Sequence, residues 1–216
     1  MRKGITINNK HSYNDFKLEI GTRTISPPKQ KRITETVPYM HGCYDFSSIN
    51  DEVALENRLL KYEFDISETS TEKMENIKSK VLSWLYQTNE TIIEDDYIKN
   101  YYFIGSLESI DWGEDFGKGT MSVVFSVYPF MISKTQIEKT YNVNDILDTT
   151  IENKSSHIIV PKIITDGSIT IEINNKTYTL SEGEWEDSDL YLISGINEIR
   201  ISGNSNVSII YREEVI

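Results

Sequence analysis

Arg58-Leu59-Leu60-Lys61-Tyr62-Glu63-Phe64-Asp65-Ile66, followed by Ser70 to Tyr86, is where two hydrophobic periods meet. In the first stretch Leu60, Tyr62, Phe64 and Ile66 recur at every second residue. Their side chains share one face of a strand, while Lys61, Glu63 and Asp65 face water. In the second, Met74, Ile77, Val81, Trp84 and Leu85 recur at three- and four-residue steps, the apolar stripe of an amphipathic helix. Thr69 with Glu72 has the form of a capping box, which satisfies free N–H groups at a helix start. The expected unit is a strand with a helix, near 70–87, laid on its apolar face. Its core is Leu60, Tyr62, Phe64, Ile77, Val81, Trp84 and Leu85. This is the one strong helix signal in the chain.

Everything around that unit leans toward sheet. Upstream, Ile5-Thr6-Ile7 alternates and meets Asn8-Asn9, a turn signal. Phe16-Lys17-Leu18-Glu19-Ile20 alternates and stops at Gly21, which predicts a half-buried strand. Downstream, Tyr101 to Ile110 is a strand, Gly113 to Gly119 a turn, and Thr120 to Tyr128 the returning strand that Pro129 ends. Residues 134–152 are polar and acidic, with little period, and are expected to be a linker or connecting strand. Beyond them, Ser168 to Ile173 leads through Asn174-Asn175 to Tyr178 and Leu180, a hairpin. Ile199 to Ser202 is expected to turn at Gly203-Asn204-Ser205-Asn206 and return through Val207 to Tyr211. The chain therefore divides into a domain at 1–133, the connection at 134–152 and a small antiparallel β-sandwich at 153–216. The fold class is mainly β (α+β).

Composition narrows the partners. The net charge is −12 over 216 residues. An acidic chain is repelled by nucleic acid and by anionic membrane surfaces, so tight nucleic-acid binding and membrane association are not expected. No run of apolar residues is long enough to span a bilayer, and no apolar stretch follows the first charges, so no secretory leader is expected. The lone cysteine, Cys43, allows no internal disulfide and is expected to be a buried thiol.

The search for chemistry returns no cofactor and no metal. His41-Gly42-Cys43 lacks the further ligands that zinc requires. No nucleophile elbow, Walker loop or dinucleotide fingerprint occurs. Carboxylates gather at Glu94-Asp95-Asp96 and at Glu182, Glu184, Glu186, Asp187 and Asp189, the second set beside Trp185. A glycosidase pair is one reading, and a solvated acidic turn between strands is the simpler one. Residues 23–32 stand apart. Arg23, Lys29, Lys31 and Arg32 bracket Pro27-Pro28 with no acid among them, which predicts an exposed loop or arm that faces solvent or a partner.

The order of these events resembles the N-terminal domain of the phage distal tail protein (Dit) family. The resemblance runs through Tyr13-Asn14-Asp15-Phe16, a proline-bearing loop, Val37-Pro38-Tyr39-Met40-His41-Gly42-Cys43-Tyr44-Asp45-Phe46-Ser47 and the strand Leu60-Lys61-Tyr62-Glu63-Phe64. It continues through Trp84-Leu85, Asp95-Asp96-Tyr97, Tyr101-Tyr102-Phe103 and the closing Phe125-Ser126-Val127-Tyr128-Pro129-Phe130. It covers about residues 3–132 and lies in the ordered series. The family's glycine-rich basic turn is replaced here by Tyr39-Met40-His41.

The resemblance implies a β-sandwich-like belt domain followed by a galectin-like β-sandwich. It implies a homo-oligomeric, hexameric ring at a virion tail tip, made in the bacterial host cytoplasm and joining the tail tube protein to tail-tip, hub and receptor-binding proteins. It brings no catalytic residue and no cofactor. Ile25, Pro27, Pro28, Lys29, Lys31, Arg32, Tyr39 and Met40 are the expected oligomer or partner contacts. A carbohydrate-binding receptor module and a cell-wall hydrolase are the competing readings.

Overall fold

The computed structural model describes residues 2–49, 52–68, 70–87, 89–115 and 118–216. The chain is mainly β with antiparallel sheets. Its contacts divide it into two compact units, Met1–Met131 with Ile216, and Ile132–Val215.

The first unit opens with β1 (Ile5–Ile7) and β2 (Lys10–His11). They are joined through Asn8 and Asn9, both at positive φ, the conformation that a tight hairpin turn demands and asparagine tolerates. Next come α1 (Ser12–Phe16), β3 (Glu19–Ile25), β4 (Thr34–Glu35), β5 (Tyr44–Asp45), β6 (Ser48–Ile49) and β7 (Glu52–Val53). The unit closes with β8 (Arg58–Ser67), α2 (Thr71–Tyr86), β9 (Thr91–Asp95), β10 (Tyr101–Asp115) and β11 (Lys118–Val127). The strands β3, β8, β11 and β10 pair antiparallel in that order. The start of β10 also pairs with β9, which pairs with β1.

The alternation in β8 is realised residue by residue. Leu60, Tyr62, Phe64 and Ile66 are buried, and Lys61 and Asp65 are exposed. They meet Val123, Phe125 and Val127 of β11 and Met74, Val81, Trp84 and Leu85 of α2 in one core. Ile77 is half-buried against the same core. Trp84 stacks on Phe16 with ring centroids 4.7 Å apart, and its indole N–H donates to the Ile7 carbonyl at 3.0 Å. Buried aromatics with a polar atom need such a partner. Gly119 leaves room for the Met74 side chain of α2, since a Cβ there would lie 3.1 Å from its sulfur.

Four local expectations change in this unit. The segment expected as a strand from Phe16 begins at the end of a helix, α1, so the described residues hold two helices and not one. The His11 Nδ1 caps it by accepting from Tyr13 and Asn14 N–H, and Lys17 ends it at φ 60°. Strand structure starts only at Glu19. The cap of α2 is Ser70, whose hydroxyl accepts from the Lys73 N–H; Thr69 lies outside the described residues. The expected turn at 113–119 is mostly strand. Gly113 pairs with Thr120 and Asp115 with Lys118, because alternation across the ladder outweighs the local glycine content; residues 116–117 lie outside the described residues. Finally, Arg23 and Ile25 belong to β3 rather than to a loop, since Arg23 has a buried partner, Asp95.

The second unit comprises β12 (Met131–Asn153), β13 (Lys162–Thr165), β14 (Ile169–Ile173), β15 (Lys176–Leu180), β16 (Gly183–Trp185) and β17 (Gly195–Val215). The stretch 134–152 lies inside β12. The strands β14 and β15 form the expected hairpin, with Asn174 at φ 50° and Asn175 at φ 58°. Ile163, Ile171, Ile199, Ile201, Val207 and Ile209 fill the core.

The turn expected at 203–206 does not exist. Strand β17 runs straight through and changes partner, pairing with β14 over Ile199–Gly203 and with β13 over Val207–Ile210. Gly203, at φ 138°, permits the switch, because a Cβ there would lie 2.8 Å from the Ser168 carbonyl oxygen. Asp166 then fixes it. Its carboxylate accepts from the Ser205 hydroxyl (2.6 Å), the Asn206 amide (2.7 Å) and the Asn206 side chain (2.7 Å). Turn-forming residues are thus used at a sheet corner.

Candidate functional site

Residues 26–49 and 52–57 lie between the end of β3 at Ile25 and the start of β8 at Arg58. They form an arm whose backbone is tied to itself. At its base Lys31 N–H donates to Ala54 O and Glu56 N–H to Lys29 O, each at 2.8 Å, around a bridge between Gln30 and Leu55. Farther out β4 pairs with β5, and Phe46 N–H donates to Ile33 O. The Ser47 hydroxyl accepts from the Ile33 N–H, and Asp45 accepts from the Ser47 N–H. The Asp45 carboxyl is held below its usual range chiefly by Ser47, with Arg32 contributing least. An arm with its own ladder keeps its shape at a lower ordering cost when it meets a partner.

Its tip is a four-residue turn in which Met40 N–H donates to Val37 O at 3.1 Å. Pro38 occupies the second position and Tyr39 the third, at φ 68°. That is the type II pattern, whose third position favours glycine. A tyrosine there is strained, and its side chain is fully exposed. Met40, Val37, Tyr44, Phe46, Ile33 and Val53 are exposed as well. Lys29, Lys31, Arg32 and Pro27 are exposed at the base, whereas Pro28 and Ile25 are half-buried, Ile25 against the first core. Cys43 is exposed, contrary to the expected buried thiol, because the arm has no core to receive it.

The sequence singled out the cations, prolines, Tyr39 and Met40 of this arm and missed Ile33, Val37, Tyr44 and Phe46. The missed signal was Tyr44-Asp45-Phe46: alternating aromatics, Tyr44 in β5 and Phe46 just past it, with no apolar segment beside them in the sequence to cover them.

The outer face of the first sheet carries a group of acids, two of them ion-paired. Thr22, Glu63, Ser122 and Asp111 form one cross-strand row, and Glu19, Asp65, Thr120 and Gly113 the next. A recess lies over both rows. Glu63 is ion-paired with Lys61 at 2.8 Å and Glu19 with Arg2. Bonds from Lys61 and Thr22 hold the Glu63 carboxyl below its usual range. Leu59 is exposed on this same face.

The two carboxylate sets lie in different settings. Asp95 is buried rather than solvated, because the β9 ladder turns it inward; it accepts from the Tyr62 hydroxyl, the Arg23 guanidinium and the Tyr97 amide. Burial and the Asp95 charge push the Tyr62 phenol far up. Asp96 bonds His11 and the Gly4 amide. The second set is exposed, with Glu184 paired to Lys162. The Trp185 ring packs against the second core and its N–H is spent on the Ser181 carbonyl. Among the described residues no cluster of His, Cys, Asp and Glu is arranged to hold a metal ion, and no helix is long and apolar enough to cross a membrane.

No family model and no curated protein sequence matches the chain. Among solved structures, two of the phage P2 baseplate in its activated conformation, with Ca and with Sr, align at a TM-score of 0.44 each. Their identities are 8% and 7%, covering 97% and 98% of this chain and 98% of each of theirs. The SPP1 Dit (gp 19.1) protein, described as a paradigm of the hub adsorption apparatus in phages that infect Gram-positive hosts, aligns at a TM-score of 0.74. That alignment has 11% identity and covers 100% of both chains. The likeness at that identity is one of fold, and the expectation drawn from the ordered motifs holds at that level: this chain has the Dit fold from end to end.

Proposed function

We propose that the chain is a structural component of a phage or phage-like tail. It forms a homohexameric ring at the tail tip and joins the tail tube to hub and receptor-binding proteins, with no catalytic role. The observation that carries this reading is full-length coverage by the Dit fold at 11% identity. The arm supports it from within the molecule. Exposed apolar side chains on a preformed hairpin are costly in a monomer and are buried in an assembly. The contacts are Pro27, Lys29, Lys31, Arg32, Tyr39 and Met40, joined by Val37, Tyr44 and Phe46. The carbohydrate-binding reading gains nothing from Trp185, whose ring is engaged within its own unit. Antibody labelling of intact particles in electron micrographs should place the chain at the tail tip, and tails assembled without it should lack a tip. Labelling confined to the tail shaft or capsid would overturn the proposal.

A further inference from the structure

We propose that His11 is an acid-sensitive latch on α1: its imidazole holds the helix start closed while neutral and releases it on taking a second proton. The latch stands independently of the hexamer reading. Both imidazole nitrogens are committed, and to opposite kinds of partner. Nδ1 accepts the Tyr13 and Asn14 N–H groups at 3.0 and 3.1 Å. A nitrogen accepts such bonds only while it carries no proton. Nε2 lies 2.9 Å from Asp96 Oδ2, an oxygen that accepts, so the one proton of the neutral imidazole sits on Nε2. The imidazole has little room to turn and offer other atoms. Its side chain is 13% exposed, and a Cβ at Gly4 would collide with it, so its edge lies against bare backbone.

A second proton acts on the two sides of the imidazole unequally. On Nδ1 it turns the acceptor of two N–H bonds into a donor that faces them, and the cap of α1 is lost. On the Nε2 side it converts a hydrogen bond to Asp96 into a charge-assisted one, which is stronger. The imidazolium stays with Asp96 and α1 lets go. A helix of five residues cannot hold itself by its own hydrogen bonds. Its release reaches the core, because α1 carries Phe16, which stacks on Trp84. The other charged groups nearby do not reverse this. Asp15 accepts from the His11 backbone N–H at 2.6 Å, and Glu94 lies in the same cross-strand row beyond Thr6; both attract an imidazolium, as Asp96 does. Asp95 is spent on Arg23 and Tyr62. Lys10, the neighbour in β2, points to the other face, and the Lys3 ammonium lies over the Tyr97 ring at 4.0 Å.

The test is hydrogen–deuterium exchange of the full chain from about pH 8 to about pH 5, the window in which histidine is the ordinary side chain to change charge. The amides to follow lie in residues 13–18: Tyr13 and Asn14 bond to the imidazole, and Lys17 and Leu18 close the far end of α1 on the Tyr13 and Ser12 carbonyls. His11→Asn supplies a cap that does not titrate. Dividing the wild-type rates by those of this variant at each pH removes the intrinsic pH dependence of exchange. Over residues 13–18 the quotient should be level near pH 8 and rise by about fivefold toward pH 5, the loss of one cap. Over residues 73–86, in α2, it should stay level throughout. If His11→Asn does not fold, the α2 amides of the wild-type chain serve as the reference, and the rise over 13–18 relative to them should be the same. A quotient over 13–18 that stays flat down to pH 5 overturns the latch, and so does one that rises equally over α2.

Discussion

The Nε of Arg23 lies 2.5 Å from Asp95 Oδ2, joining the edge strand β3 to β9 through a carboxylate that is itself fully buried. The Tyr62 hydroxyl donates to the same oxygen at 2.8 Å. Removing the carboxylate strands both donors, and breaking a buried pair from one side costs about 3–5 kcal/mol. Asp95→Ala should therefore lose a loss of that size in urea denaturation. Arg23→Met should cost at least as much, because it leaves a fully buried carboxylate without its counter-charge, whereas the Arg23 side chain is partly exposed and can reach water. Asp95→Ala within about 0.5 kcal/mol of wild type, the range of an ordinary surface change, would show that the triad is not a pin.

Trp84 separates packing from hydrogen bonding. Trp84→Ala empties the space between Phe16 and α2 and should cost about 3–5 kcal/mol. Trp84→Phe keeps an aromatic ring against Phe16 but leaves the Ile7 carbonyl without its donor, for about 1–3 kcal/mol. A thermal melt in which the two variants behave alike would contradict this division.

Acid sensitivity should include Asp166. Its carboxyl is lowered from 3.8 to about 2 by bonds from Ser205 and Asn206. A depressed folded-state pKa means that its stabilisation is fully present above the unfolded value, near 3.8, and is lost as pH falls through about 2. Asp166→Ala should be less stable than wild type at neutral pH, with the gap closing across that window. Parallel pH profiles for the two proteins would count against the β17 corner being held by this carboxylate.

The Asn174-Asn175 turn makes a backbone prediction. Both residues sit in the left-handed region, which costs an ordinary L-residue about 1–2 kcal/mol. Asn175→Val should lose stability of that order, and Asn175→Gly should match or exceed wild type. Chemical denaturation of the two variants tests the sign.

Incubation with purified peptidoglycan should release neither reducing ends nor free amines. Release that disappears with Glu184→Gln or Glu186→Gln would reinstate the hydrolase reading.

What was legible in the sequence was what side-chain period alone decides. The β8 alternation, the α2 stripe and the β14–β15 hairpin needed no information from elsewhere in the chain. Features that depend on a distant partner were hidden. Gly203-Asn204-Ser205-Asn206 has the composition of a turn, and only Asp166, brought alongside by β13, makes it a strand crossing a corner. The helix α1 was hidden because its cap is a histidine side chain and its length is under two turns. At the arm, charge and proline marked exposure correctly at Lys29, Lys31 and Arg32. Arg23 belonged to the same run of letters, yet the fold turned it inward to Asp95.

The strand that changes partners also sets an order of events. Strand β17 follows β13 and β14 in the chain, and both pair with it. On the ribosome those strands emerge with open edges and wait for the stretch that will join them. Until then β14 has its hairpin mate β15 and β13 has β16, but these two pairs share no strand. Completion of the second unit is thus tied to the arrival of a single segment, and unpaired edges left waiting are the part of a nascent chain most open to mispairing. A translational pause placed before Gly195 would prolong that exposure.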